Sequence, residues 1–434
     1  MLYERWRQVA RSYPNEIALR DLVSQRQWTF HELEIAAATP PSESSKIAFP
    51  TGLSAEFILN VLRAWRLGQI VCPVESDQRA PEIGRGLPAE IVHLKMTSGT
   101  TAAPRFVAFT AAQLMADAEN IVATMGLRPD WPNLGVVSLA HSYGFSNLVL
   151  PLLLHGIPLM LAGAPLPEIV LRAAATEKAI TLPAVPALWR AWYDADAIPR
   201  NVRLAISAGA PLPVSLEQNV FATRGLKIHN FYGSSECGGI AYDAGSGARL
   251  DGSCAGAPMR NVNLSIGEDG CLEVRSQAVG ETYWPEAEPR LRDGVFRTSD
   301  LAEISYGLVY FRGRAGDQIN VAGRKVSPES IEKILQTHPG VRECVVFGVP
   351  SSDAKRGETI VACVSATTQV AGETLKQFLL SQLPAWQVPR EWWLVESLFA
   401  SRRGKLSRAE WRKRYLESKN KPDLNPQMNS DERR

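Results

Sequence analysis

The chain has 434 residues, 45% of them hydrophobic and 21% charged, a balance that builds packed globular domains and excludes a disordered protein. That length corresponds to roughly two to three domains at about 150 residues each. A net charge of +2 sets up no strong field toward nucleic acid or an anionic membrane, so no nucleic-acid partner is expected.

The first residues, Met1-Leu2-Tyr3-Glu4-Arg5-Trp6, are amphipathic and charged, unlike a signal peptide. A helix is expected over 3–12 and a strand over 17–19. Trp28-Thr29-Phe30 then leads into a helix over 32–37. Strands at 47–49 and 70–74 flank a helix at 55–65. Apolar strands alternating with helices imply an α/β sheet with parallel strands, and this texture continues to about residue 235.

A strand at 91–96 runs into Thr97-Ser98-Gly99-Thr100-Thr101-Ala102-Ala103-Pro104-Arg105. Hydroxyls and backbone N–H groups in such a loop can wrap an anion while Arg105 supplies charge. The loop lacks GxxxxGK[ST], so it is not a Walker A motif. On these residues alone, a Ser/Thr-rich hairpin and a phosphate cradle are both open. A second strand follows at 106–109, and Thr110 caps a helix over 111–125. The most apolar stretch, 145–162, is cut by Pro151, His155, Gly156 and Pro158. A membrane span needs about 20 apolar residues, so this is a buried core segment and no span is expected.

From about 250 to 312, short alternating segments at 262–266 and 271–274 between Gly turns predict antiparallel β-structure. A last block opens near Gly313. Ser327 is placed to cap a helix with Pro328 at its first position and Ile331, Ile334 and Leu335 on one face. Strands at 343–349 and 359–365, a helix at 374–383, a strand at 392–395 and a helix after Ser407 complete it. Beyond Glu417 the chain is polar and expected to be disordered. Six scattered cysteines form no CxxC pair and six histidines no HxxxH, so no zinc site is expected. Reduced, buried thiols point to the cytoplasm.

The loop at 97–105 resembles the phosphate-binding signature of the adenylate-forming (AMP-binding) superfamily of acyl-CoA synthetases, nonribosomal peptide adenylation domains and luciferases. Further matches follow in the family's order along nearly the whole chain. Leu62-Arg63-Ala64-Trp65-Arg66-Leu67-Gly68 with Cys72-Pro73-Val74 resembles an early helix–strand motif. Ser138-Leu139-Ala140-His141-Ser142-Tyr143-Gly144 resembles the histidine motif beside the acyl pocket, and Ser207-Ala208-Gly209-Ala210-Pro211-Leu212 the adenine-side loop. Tyr232-Gly233-Ser234-Ser235-Glu236 resembles the aromatic–Gly–hydroxyl–Glu motif. Thr298-Ser299-Asp300 with Gly313-Arg314 resembles the ribose-binding pair. Residues 319–326 with Glu329 and Glu332 resemble the first loop of a mobile lid, and Gly404-Lys405-Leu406-Ser407-Arg408 the terminal lysine motif.

The resemblance implies the following roles. Thr97, Ser98, Gly99, Thr100, Thr101 and Arg105 would wrap ATP phosphates. Glu236 would hold Mg²⁺, Ser235 would bond the α-phosphate and His141 would stand by the acyl pocket. Gly209, Ala210 and Pro211 would flank the adenine, with Tyr232 and Gly233 offering a stacking surface. Asp300 and Arg314 would serve the ribose, Lys325 would lie in the lid loop, and Lys405 would bridge carboxylate and α-phosphate as a mobile charge.

The chain departs from the family pattern in places. Ala102 stands for a Gly, Arg105 for a Lys and Ser299 for a Gly, and only about twenty residues separate Val74 from the phosphate loop, a shortened N-terminal subdomain.

The expected fold is therefore α/β. A large N-terminal domain of α/β layers plus a β-rich subdomain, residues 1–313, binds ATP and carboxylate. A small mobile α+β lid spans 316–416, and 417–434 form a polar tail. The expected function is activation of a small-molecule carboxylic acid to an acyl-adenylate with ATP and Mg²⁺, then transfer to a thiol. Lid residues 321–325 favour coenzyme A as that thiol. The alternatives are the phosphopantetheine of an acyl carrier protein and a non-catalytic nucleotide- or acyl-binding relative.

Overall fold

Thr110 caps helix Ala111–Met125 with both halves of a capping box: its hydroxyl accepts the Gln113 N–H, and the Gln113 side chain accepts the Thr110 N–H. This local device begins the helix where the sequence expects it. The computed structural model describes residues 1–39, 45–84, 86–97, 105–351, 357–366, 370–398 and 407–419. They form two compact units, residues 1–298 with 304–310, and residues 299–303 with 311 onward.

In the first unit a sheet runs in the order Ile228–Ser234, Val202–Ser207, Ile180–Ala184, Asn133–Gly135, Leu159–Leu161 and Ile17–Asp21, all parallel, closed by antiparallel Arg26–Thr29. Apolar side chains from its strands and from helices Pro167–Ala174, Pro186–Asp194 and Val214–Arg224 fill one core, including Leu134, Leu182, Trp189, Trp192 and Ile228. Beyond Ser234 the sheet continues antiparallel through Gly238–Tyr242 and Cys254–Pro258. The β-rich region adds Asn263–Ile266 and Cys271–Arg275, in keeping with its alternating pattern.

A second sheet is mixed in sense. Ile47–Ala48, Ile70–Val71 and Ile91–Met96 are parallel, but Phe106–Thr110 lies antiparallel to Ile91–Met96, and Thr282–Trp284 joins antiparallel at its outer edge. Nine residues lie between Met96 and Phe106, too few for the crossover of about a dozen that a parallel pair needs. The expected strand at 70–74 is shorter, ending at Val71, with Val74 reduced to a bridge to Thr51.

The apolar stretch from Phe145 is buried core, as expected, though it begins with a π-helical turn, Phe145–Val149, before helix Leu150–His155. Among the described residues no helix is long and apolar enough to cross a membrane.

The second unit carries strands Val341–Pro350, Glu358–Ala366 and Glu391–Val395, the first pair antiparallel and the second parallel. Alternate side chains bury on opposite faces. Val346, Ala362 and Val364 pack with helices Pro328–Leu335 and Gly372–Leu380, while Val345, Phe347 and Cys363 pack with Trp411 and Tyr415 of helix Arg408–Lys419. That last helix runs through Glu417 to Lys419, and the rest of the expected tail, 420–434, lies outside the described residues. Ser327 sits at the cap position, but its hydroxyl donates to Glu329 Oε2 at 2.7 Å and does not accept a helix N–H.

His93 is fully buried on strand Ile91–Met96, 4.4 Å from the Phe145 ring centroid, and neither ring nitrogen has a partner among the described residues. Burial, helped by the neighbouring Lys95 charge, holds its imidazole well below the usual value. The unfolded chain binds a proton there below about pH 6.5 while the folded chain does not. Stability from this group is thus complete above about pH 6.5 and falls as pH drops, by at most ~1.4 kcal/mol per unit. His93→Leu should flatten that acid slope in urea unfolding between pH 7.5 and 5. An unchanged slope would show that His93 is protonated in the folded chain.

Candidate active site

Parallel strands end on the same edge of their sheet, and at that carboxyl edge open α/β sheets gather their binding loops. Here the edge receives the segment after Asn133–Gly135 (Ser138 to Tyr143), the loop after Val202–Ser207 (Gly209, Ala210, Pro211) and the end of Ile228–Ser234 (Tyr232 to Glu236). Sites predicted from separate sequence motifs therefore converge for a topological reason.

Two of these loops touch directly. The Ser142 hydroxyl donates to Ser235 Oγ at 2.9 Å, which joins the histidine segment to the Glu236 turn. His141 Nε2 lies 3.6 Å from Glu75 Oε1, beyond hydrogen-bond range, while Ser138 Oγ donates to Glu75 at 2.8 Å. Tyr143 reaches under the sheet edge, its hydroxyl 3.5 Å from the Ala184 and Ile206 carbonyls, and burial pushes its pKa up. Gly209 adopts φ +87°, the left-handed region. The loop that it opens is held at Leu212, whose carbonyl accepts Arg249 Nη2 at 3.0 Å.

The Glu236 turn is built tightly. The Glu236 N–H donates to Ser234 Oγ at 3.2 Å, and its carbonyl accepts the Gly280 N–H at 2.8 Å. Gly238 has φ +66°, and a Cβ there would fall 1.9 Å from Asp117 Oδ1. The buried Asp117 carboxylate accepts the Gly239 N–H at 3.1 Å and the Ser146 hydroxyl at 2.6 Å, with Lys95 Nζ 3.7 Å away. Half-buried Glu236 accepts the Tyr283 hydroxyl on Oε1 at 3.0 Å. Among the described residues its Oε2 has no hydrogen bond or ion pair, and no cluster of three His, Cys, Asp or Glu exists that could cage a metal alone. One hard oxygen with an open side suits a Mg²⁺ that also takes phosphate oxygens and water. The site thus fits that ion.

Thr97 and Arg105 close the two ends of the phosphate loop: Thr97 donates through both N–H and Oγ1 to the Arg105 carbonyl, at 2.9 and 3.1 Å. The Arg105 guanidinium lies 3.8 Å from the Tyr283 ring centroid and pairs with Glu288 at 2.5 Å. Ser98, Gly99, Thr100 and Thr101 lie outside the described residues.

In the second unit Arg314 Nε donates to Asp300 Oδ1 at 2.8 Å, bringing the two predicted ribose residues together. Lys325 is exposed on hairpin strand Arg324–Val326, opposite Asn320. Lys405 lies outside the described residues. Three positions on, the Arg408 guanidinium is held by Asp317, Glu329 at 3.0 Å and Glu332 at 3.0 Å, and it donates to the Val346 carbonyl at 2.8 Å. Burial lowers its pKa, but the three carboxylates outweigh that, and the net shift is upward. Burial likewise raises the Glu332 pKa, against the opposing pull of Arg408.

Sequence reasoning did not single out Tyr283, Asp117, Lys95 or Glu75. A signal existed for Asp117, which falls on the helix face of Leu114, Ala118 and Ile121 and so must be buried. No such signal marked Tyr283.

The family model described as "AMP-binding enzyme" matches residues 85–284, and that described as "AMP-binding enzyme C-terminal domain" matches residues 330–405. A feruloyl-CoA synthase of an Amycolatopsis species is 30% identical over 365 residues, covering 78% of this chain and 73% of that protein. An anthranilate–CoA ligase of Pseudomonas aeruginosa is 28% identical over 421 residues, covering 92% and 80%. The ATP-bound crystal structure of MatB from Rhodopseudomonas palustris has the same fold, with a TM-score of 0.84 at 19% identity over 96% of this chain and 99% of that one.

Proposed function

Because the chain belongs to the AMP-binding enzyme family of adenylate-forming proteins, we propose that it activates a small carboxylic acid with ATP and passes the acyl group to the thiol of coenzyme A. The observation that carries this reading is the junction at the sheet edge. There Ser235 meets Ser142, and Glu236, Tyr283 and Arg105 form one contact chain leading to the phosphate loop.

The chemistry follows from charge. A carboxylate is a poor acyl donor because its leaving group would be oxide. Attack of its oxygen on the α-phosphorus expels pyrophosphate and leaves an acyl–AMP anhydride. Attack of a thiolate sulfur on the acyl carbon then expels AMP. Bound Mg²⁺ neutralises charge that gathers on the phosphate oxygens. Glu236 would hold that ion through its open oxygen, and Ser235 would donate to the α-phosphate. Thr97 and Arg105 would bind the outer phosphates, with the charge of Arg105 first having to leave Glu288. Asp300, oriented by Arg314, would accept both ribose hydroxyls, and Tyr232 would stack on the adenine. His141 would stand beside the carboxylate.

The lid sequence Val321-Ala322-Gly323-Arg324-Lys325 and the coenzyme A ligases among the relatives favour that thiol over a carrier protein. All six cysteines are unpaired, which supports a reducing, cytoplasmic setting. The decisive experiment is acid-dependent ATP–pyrophosphate exchange across a panel of aryl, alkyl and dicarboxylic acids, followed by product assay with coenzyme A or a phosphopantetheinylated carrier. Exchange with one acid class and an acyl-CoA product are expected. Exchange that yields only acylated carrier would replace the acceptor. ATP binding without exchange for any acid would make the protein a nucleotide binder.

A further inference from the structure

Tyr283 is 1% exposed, in a strand zipped antiparallel onto Phe106–Thr110 with Val107 as its partner. That partner strand leaves the phosphate loop directly, through Arg105. The Tyr283 segment also grips Glu236 from behind, since the Gly280 N–H donates to the Glu236 carbonyl at 2.8 Å and the Glu281 N–H to the Ala108 carbonyl at 2.8 Å. A Cβ on Gly280 would lie 2.6 Å from Val107 Cγ1 and 3.1 Å from the Glu236 carbonyl oxygen, so the backbone there packs directly against both.

The Tyr283 hydroxyl meets Glu236 Oε1 at 3.0 Å, while its ring carries Arg105 at 3.8 Å and Arg290 at 5.6 Å. Glu288 ties both guanidiniums, at 2.5 and 2.7 Å. A carboxylate with one oxygen fixed by a buried hydroxyl has its rotamer chosen for it, and its second oxygen is aimed. A bare carboxylate would instead sample several orientations and lose entropy on meeting a cation.

We infer that Tyr283 is a positioning residue that fixes the Glu236 carboxylate for Mg²⁺ and couples it, through its ring, to Arg105 of the phosphate loop. The inference rests on the reading of Glu236 given above as the holder of that ion.

Tyr283→Phe keeps the ring, its burial and the stacked guanidinium, and removes only the hydroxyl. ATP binding, with no acid present, is measured by calorimetry in EDTA and across a Mg²⁺ titration, with Mn²⁺ binding to the ATP complex read by electron paramagnetic resonance. Affinity in EDTA should stay within about twofold, while the metal affinity should fall roughly 10–100-fold, the range seen when partners of a metal's ligands are removed. Glu236→Gln, run in parallel, separates the two claims. If Glu236→Gln weakens metal binding and Tyr283→Phe does not, the positioning role is overturned. If neither does, the metal assignment of Glu236 falls first. An equal loss in EDTA and in Mg²⁺ for Tyr283→Phe would show a merely structural side chain and also overturn the inference.

Discussion

Lys405→Ala should abolish acid-dependent ATP–pyrophosphate exchange while leaving thioester formation from pre-made acyl-adenylate largely intact. The resemblance of residues 404–408 to the terminal lysine motif implies that its ammonium would stand where carboxylate and α-phosphate oxygens meet. A charge that acts there stabilises the first transition state, in which negative charge gathers on phosphorus-bound oxygens. It has no such task when the thiol attacks the acyl carbon and the phosphate departs as AMP. Removing one preorganised electrostatic partner costs on the order of 10²–10³ in rate, or about 2.7–4 kcal/mol. The two half-reactions are measured separately, by pyrophosphate exchange and by acyl-CoA release from synthetic adenylate. Equal losses in both would assign Lys405 to substrate binding or to folding.

Asp117→Asn should destabilise the first unit by about 3–5 kcal/mol, the usual cost of breaking a buried ion pair on one side. The Lys95 and Asp117 side chains are 3% and 2% exposed and 3.7 Å apart. Lys95 also donates to Ser146 Oγ at 3.2 Å and stands 4.5 Å from the Phe109 ring centroid. Asparagine preserves volume and the acceptor for Gly239 but puts an amide donor where Oδ2 accepts the Ser146 hydroxyl, so the loss combines that hydrogen bond with an ammonium desolvated without its counter-ion. Lys95→Met alone strands the carboxylate and should cost a similar amount. The double variant leaves no buried charge and should recover most of the stability, a coupling read by urea unfolding of all four proteins. Additive losses would mean that the two groups do not act as a pair. Because Asp117 holds Gly239 and abuts Gly238, the single variants should also loosen the Glu236 turn and lower ATP affinity.

These two expectations come from different levels of the molecule. The expectation for Lys405 comes from the sequence alone, because a motif is a local string whose chemistry can be stated without knowing what surrounds it. The same holds for the loop at 97–105, the turn at 232–236 and the Thr110 cap, whose hydrogen bonds span three residues. The alternation of apolar strands with helices determined the α/β class, since a parallel strand pair requires a crossover between its members. From that it followed that loops after successive strands would share one edge, although the strand order did not follow.

Only the tertiary structure decided which distant segments meet. Tyr283 reaches Glu236 across 47 residues of chain, and Asp117 reaches Gly239 across 122. The strand Thr282–Trp284 was missed because three residues carry too little periodicity to identify it, and its pairing with Phe106–Thr110, some 170 residues earlier in the chain, is a long-range contact. Asp117 falls on the apolar face of its helix, yet nothing in the sequence names Lys95 as its partner. Buried together they are a pair, because desolvation makes a lone charge costly in a way that depends wholly on what folds over it. The sequence by itself determined the kinds of groups the chain carries and the local elements that hold them. Long-range packing decided which of those groups are aimed, paired or buried, since that free energy resides in contacts no short window of sequence contains.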